Sequence, residues 1–72
     1  MTLAEADIYR RIKVVEVGCR RGLKRRLGSM GLFGGVTAKV VSRSFGCAVV
    51  EAMNTRICVD ESVMAEISAV YT

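Results

Sequence analysis

Three cysteines, Cys19, Cys47 and Cys58, are the softest donors and the strongest nucleophiles in this 72-residue chain, and no histidine accompanies them. Without histidine there is no imidazole base for a serine or cysteine nucleophile and no imidazole metal ligand. The cysteine count is odd and no two are close in sequence, which is neither a disulfide framework nor a Cys-x-x-Cys motif. Cys47 and Cys58 fall in runs that read as adjacent strands, so folding can bring them together. Two thiols are still too few for a closed tetrahedral site. The expected state is reduced, with each cysteine buried as a small hydrophobe. Ser29, Ser42, Ser44, Ser62 and Ser68 have no nucleophile context, and Asp60-Glu61 reads as helix-start charge. Arg20-Arg21-Gly22-Leu23-Lys24 lacks the spacing of a phosphate-binding loop. The residues therefore predict a protein that is not an enzyme, with no catalytic residues, no metal ligands and no resident cofactor.

Charge is the other chemical resource. The formal net charge is +4 and the sequence pI is about 9.3. Arg10, Arg11, Lys13, Arg20, Arg21, Lys24, Arg25 and Arg26 crowd the first third, and most acids lie in the second half. A basic end of this kind suits nucleic acid, anionic lipid or an acidic protein surface, or serves only to solubilise. The aromatics Tyr9, Phe33, Phe45 and Tyr71 are too few and too scattered for a base-stacking platform. The cations concentrate on one segment, Arg20 to Met30, whose Leu23, Leu27 and Met30 recur at helical spacing and predict one apolar face. Arg20, Arg21, Lys24 and Arg25 stand at or before its first turn, where the macrodipole disfavours cations. A local rule broken in this way often marks a functional surface. Gly31 is placed to stop the helix, and Gly34-Gly35 to turn the chain after Leu32 and Phe33. The candidate partner-binding surface is thus Arg20, Arg21, Lys24 and Arg25 together with Leu32 and Phe33, with Leu32 also a core candidate.

The elements that position this segment read mostly as strands. Thr2 to Ala6 has capping-box spacing, with Thr2 as cap and Glu5 three residues on, and Leu3 and Ala6 as a lid over the core. Arg11 to Val17 is a strand whose alternation switches between Val14 and Val15, which predicts a bulge. Val36 to Ser42, Cys47 to Ala52, Arg56 to Val59 and Ile67 to Tyr71 follow as strands. Arg43 to Gly46 and Met53 to Thr55 form the turns between them, and Asp60 is the expected cap of a helical turn through Met64. The unbroken apolar run from Cys47 predicts cover on both faces of that strand. The whole chain, residues 1–72, reads as a single domain that is mainly β with one short helix, a small barrel of about five strands. A hydrophobic content of 51% is high for so short a chain and predicts some exposed apolar surface. No segment reads as a signal peptide or a membrane span, which makes the cytoplasm the expected location.

Arg26-Leu27, Met30-Gly31-Leu32 and Gly35-Val36 resemble the R-L-x-x-[LM]-G-L-x-P-G-x-x-V signature of FeoA domains, the ferrous iron transport protein A family. The likeness extends over Thr2 to Ala6, Val14, Val17-Gly18, Gly46, Val49, Thr55-Arg56 and Ile67. It departs at Gly34, where the family usually has Pro and a looser turn is expected here. It departs also at Asn54 and near Tyr9, where the family usually has Gly. The resemblance implies an SH3-like β-barrel that serves as a cytoplasmic accessory of a FeoB-type ferrous iron transporter, docking on it or on its GTP-binding domain. Iron(II) is implied only in this way. The alternatives are a nucleic-acid-binding barrel and a direct transition-metal carrier or sensor.

Overall fold

The computed structural model describes all residues, 1–72. A 3₁₀ turn, Leu3–Glu5, leads into five strands: β1 Arg11–Val17, β2 Thr37–Ser44, β3 Cys47–Ala52, β4 Thr55–Asp60 and β5 Ile67–Tyr71. Helix α1, Arg21–Ser29, lies between β1 and β2, and the single turn α2, Glu61–Met64, between β4 and β5. The strands form one antiparallel sheet in the order β4-β3-β2-β1-β5.

Period-2 alternation builds the inner face. Ile12 and Val14 of β1, Ala38 and Val40 of β2, Ala48, Val50 and Ala52 of β3, Ile57 and Val59 of β4, and Ile67 and Ala69 of β5 are all buried. Two irregularities curl the sheet. The β1–β5 register shifts between Val14 and Glu16. Val15 is thereby the extra residue of the predicted bulge: it turns outward, 56% exposed, and Val17 returns to the core. A second shift, between Val40 and Ser42, was not legible in the sequence and leaves Val41 buried beside Val40. Bulges of this kind increase local twist and bend, which a strongly curved small sheet requires. The buried residues are all apolar, and no buried side-chain polar atom lacks a hydrogen-bond partner.

The lid forms as expected, with Leu3 and Ala6 buried. The capping box forms as well: the Glu5 carboxylate accepts the Thr2 N–H at 2.8 Å, and also the Thr2 hydroxyl at 3.1 Å. These bonds hold the Glu5 carboxyl below its ordinary range. The Met1 carbonyl accepts from Ala69 N–H at 2.8 Å, and Tyr71 OH accepts from Asp7 N–H at 3.0 Å.

Several local expectations are corrected. The β2–β3 loop is only Phe45-Gly46, because Arg43 and Ser44 remain in β2 and Ser44 pairs with Cys47. Arg43 is held there by donating to the Ala6 carbonyl. Asp60 stands at the α2 N-cap without a side-chain cap bond, and Glu61 N–H donates instead to Gly46 O at 3.0 Å. One face of β3 is buried, while Cys47, Val49 and Glu51 on the other are half-buried. Cys58, expected inside, is exposed, because the β4 alternation assigns the inner positions to Ile57 and Val59.

Candidate functional site

Arg20 is the N-cap of helix α1; its backbone is extended (φ −63°, ψ 157°) and its side chain makes no cap bond. No acid occupies the first turn. Arg20, Arg21, Lys24, Arg25 and Arg26 are all exposed. The ion pairs of the structure are Arg10–Asp7, Lys39–Glu51 and Arg56–Glu51, so none of these five cations is neutralised by a carboxylate. The segment presents a run of free positive charge, part of it against the helix dipole.

The apolar side of α1 is narrower than its periodicity predicts. Leu27 is 3% exposed and Leu23 half-buried, but Met30 is 38% exposed. The backbone explains the loss. Met30 is the C-cap, at φ −92° and ψ 2°, and has left the helical path. The chain then closes with Gly31 N–H on Gly28 O at 3.1 Å and Leu32 N–H on Leu27 O at 2.9 Å. Gly31 sits at φ +100°, and a Cβ there would press on the Met53 Cβ at 3.1 Å. Glycine is required at this position by conformation and by contact together.

The next residues separate in role. Leu32 is fully buried, so it anchors the turn to the core and presents nothing to a partner. Phe33 remains 42% exposed. The turn is not loose, although Gly34 stands in place of Pro. Val36 N–H donates to Phe33 O at 3.2 Å and Gly35 N–H to Val14 O at 2.7 Å. A Cβ on Gly34 would approach Val15 O to 3.1 Å. Phe33 and the outward Val15 thus flank a close backbone contact.

A groove that no local sequence pattern marks runs beside the helix. Leu23, Leu27 and Met30 of the α1 segment face Cys58 and Val59 of β4 and Val63 of α2, with Arg26 and Asp60 among its polar lining residues, around about 230 Å³. Leu23 and Val63 also line the adjoining hollow, with Gly18, Arg20, Ser62 and Glu66. Burial first, and then the nearby Glu66 carboxylate, push the Cys19 thiol up from its ordinary range. The α1 segment therefore presents unpaired cations and an apolar trough, and the turn that follows it presents the exposed Phe33. The chain holds no cluster of three or more histidine, cysteine or carboxylate side chains of the kind that holds a metal ion. No helix is long and apolar enough to cross a membrane.

The FeoA domain family model matches residues 1–70. The chain belongs to the FeoA family. The fold agrees. The solution structure of the FeoA protein of Chlorobium tepidum superposes with a TM-score of 0.93 at 22% identity, over 99% of this chain and 70% of that one. An iron uptake regulatory protein (FeoA) superposes at 0.86 and 21% identity, over 100% and 96%. The FeoA of Stenotrophomonas maltophilia, crystallised with zinc and described as a procaryotic SH3 domain protein, superposes at 0.83 and 21% identity, over 97% and 89%. The small barrel of this FeoA-family chain is thus the SH3-like one expected. A comparison with the curated proteins finds no significant match.

Proposed function

We propose that this chain is a non-catalytic cytoplasmic accessory of ferrous iron transport that docks on a FeoB-type membrane transporter or its GTP-binding domain. The observation that carries the reading is the run of unneutralised cations on α1 beside an apolar groove, in a chain of the FeoA family. Names borne by relatives support it: one is an iron uptake regulatory protein, and another is described as a candidate ferrous iron transport activating factor. Iron(II) enters as the transporter's cargo, not as a ligand of this chain.

Docking assigns distinct work to the parts of the surface. Arg20, Arg21, Lys24 and Arg25 steer the chain toward an acidic partner and set the salt dependence of association. Phe33 and the groove supply the desolvated contact from which most interface energy comes. The test is a titration of the wild type, Phe33→Ala and Lys24→Ala/Arg25→Ala against the purified cytoplasmic transporter domain and against random-sequence RNA, each at two salt concentrations. Phe33→Ala is expected to weaken transporter binding by about 1–2 kcal/mol, and the double charge variant to slow association. Submicromolar RNA binding at physiological salt, abolished by the double charge variant, would make nucleic-acid binding the primary function instead.

A further inference from the structure

The three thiols of the chain are free, and two of them stand on one face of the sheet. Strands β3 and β4 pair with Cys47 opposite Asp60 and Val49 opposite Cys58. Cys47 and Cys58 are therefore diagonal neighbours on the outer face of a two-residue-turn hairpin, the face away from Ala48, Val50, Ile57 and Val59. The neighbouring Cys47 thiol, and less strongly the Asp60 charge, push the Cys58 thiol up from its ordinary range. Ser44 Oγ lies 3.6 Å from Cys47 Sγ on the other side. Cys58 is open to solvent and Cys47 half-open.

We infer that Cys47 and Cys58 form a two-thiolate site for a soft monovalent cation, copper(I). Three physical points select this occupant. Diagonal partners in an antiparallel pair have backbones about 7–8 Å apart, beyond the usual span of a disulfide. Two thiolate–metal bonds of roughly 2.3 Å each bridge a longer gap than one sulfur–sulfur bond of about 2.0 Å. The same donor count that fails zinc, which wants four ligands, satisfies a d¹⁰ monovalent ion in linear coordination. Thiolate softness favours copper(I) over iron(II), so the site does not compete for the transporter's cargo. Binding replaces two S–H bonds by two S–Cu bonds with no change of oxidation state. It releases two protons to solvent and leaves a bis-thiolate copper(I) unit of charge −1. Because both thiols must deprotonate, affinity rises with pH. The site uses none of the helix cations, but Cys58 also lines the groove beside α1, so copper(I) binding is measured on the isolated chain, where its failure is separate from failure of docking.

The test uses the full chain, reduced and anaerobic, titrated with copper(I) in competition with a chromophoric copper(I) chelator, with parallel titrations of zinc(II) and iron(II). Expected are one copper(I) per monomer, near-ultraviolet thiolate-to-copper absorption and two protons released. Binding should be lost in Cys47→Ser and in Cys58→Ser and retained in Cys19→Ser. Cys58 is exposed, so Cys58→Ser keeps the fold and carries the test should Cys47→Ser unfold. Failure to take copper from the chelator would overturn the proposal, as would binding that survives Cys58→Ser, one copper shared between two chains, or equal competition by zinc.

Discussion

Tyr9 shows how much a single backbone angle asks of a residue. It is at φ 68°, a region that a bulky side chain enters only under strain, and its side chain is 70% exposed. Its N–H bond to Val40 O, at 2.7 Å, fixes the chain there as it enters β1. Tyr9→Gly should therefore raise stability by about 1 kcal/mol, whereas Tyr9→Ala should not, as chemical denaturation would read directly. Met53 and Asn54, at φ 53° and 60°, carry the β3–β4 turn, where both central residues adopt left-handed angles. Asn54 takes the conformation expected of a Gly substitute. Leu27 makes the opposite case, a residue set by packing. At 3% exposure it is the deepest contact of α1, and Leu27→Ala should cost about 2–5 kcal/mol. A change in denaturation midpoint worth under about 0.5 kcal/mol would place that helix face in solvent.

Among the elements, α1 is held by packing rather than by propensity, and its glycines measure this. A Cβ added at Gly22 or Gly28 would meet nothing within 4 Å. Gly28→Ala should therefore stabilise the protein by about 0.5–1 kcal/mol. Gly18, at the end of β1, behaves oppositely. Its N–H donates to Glu66 O at 2.8 Å, and an added Cβ would stand 2.8 Å from the same oxygen. Gly18→Ala should destabilise by about 1–3 kcal/mol, and melting curves of the two variants should move in opposite directions. The 3₁₀ turn carries a pH signature. The Glu5 carboxyl is depressed from its ordinary 4.5, first by the Thr2 backbone N–H and then by its hydroxyl. Its contribution is present above pH 4.5 and lost as pH falls through the lower folded-state value. Glu5→Gln should thus be less stable than wild type at neutral pH, and the difference should close in acid.

For the molecule as a whole, the consequence of a +4 net charge lies in where that charge is free. Lys39 and Arg56 are engaged by Glu51, and Arg10 pairs with Asp7 and stacks 3.5 Å over the Tyr71 ring. The α1 cations have no such partners and dominate long-range attraction. Removing Lys24 and Arg25 should flatten the salt dependence of transporter binding while leaving much of its strength at high salt, because screening removes only the steering part. Stopped-flow association rates at two ionic strengths read this directly. A nucleic-acid binder would instead lose most of its affinity with the same two charges.

The strands, the helix and the β1 bulge were legible because each is encoded by neighbours in sequence. Period-2 alternation marks the inner face, the 4-and-3 spacing of Leu23, Leu27 and Met30 marks the helix, and the switch at Val14-Val15 marks the bulge. The family was legible for the same reason, since its signature runs through the helix and the turn behind it. Tertiary structure decided what depends on residues far apart in the chain. Phe33 remains half-open while Leu32 is sealed, because the turn is pinned to β1 through Val14 and Val15. The groove exists only where α1 meets Val59 and Val63, thirty and more residues downstream. The Cys47–Cys58 pair depends on hairpin register, which a shift of one residue would abolish by sending one thiol to the other face. Local spacing fixes which way a side chain points on its own element, and only the packing of elements fixes what it meets there.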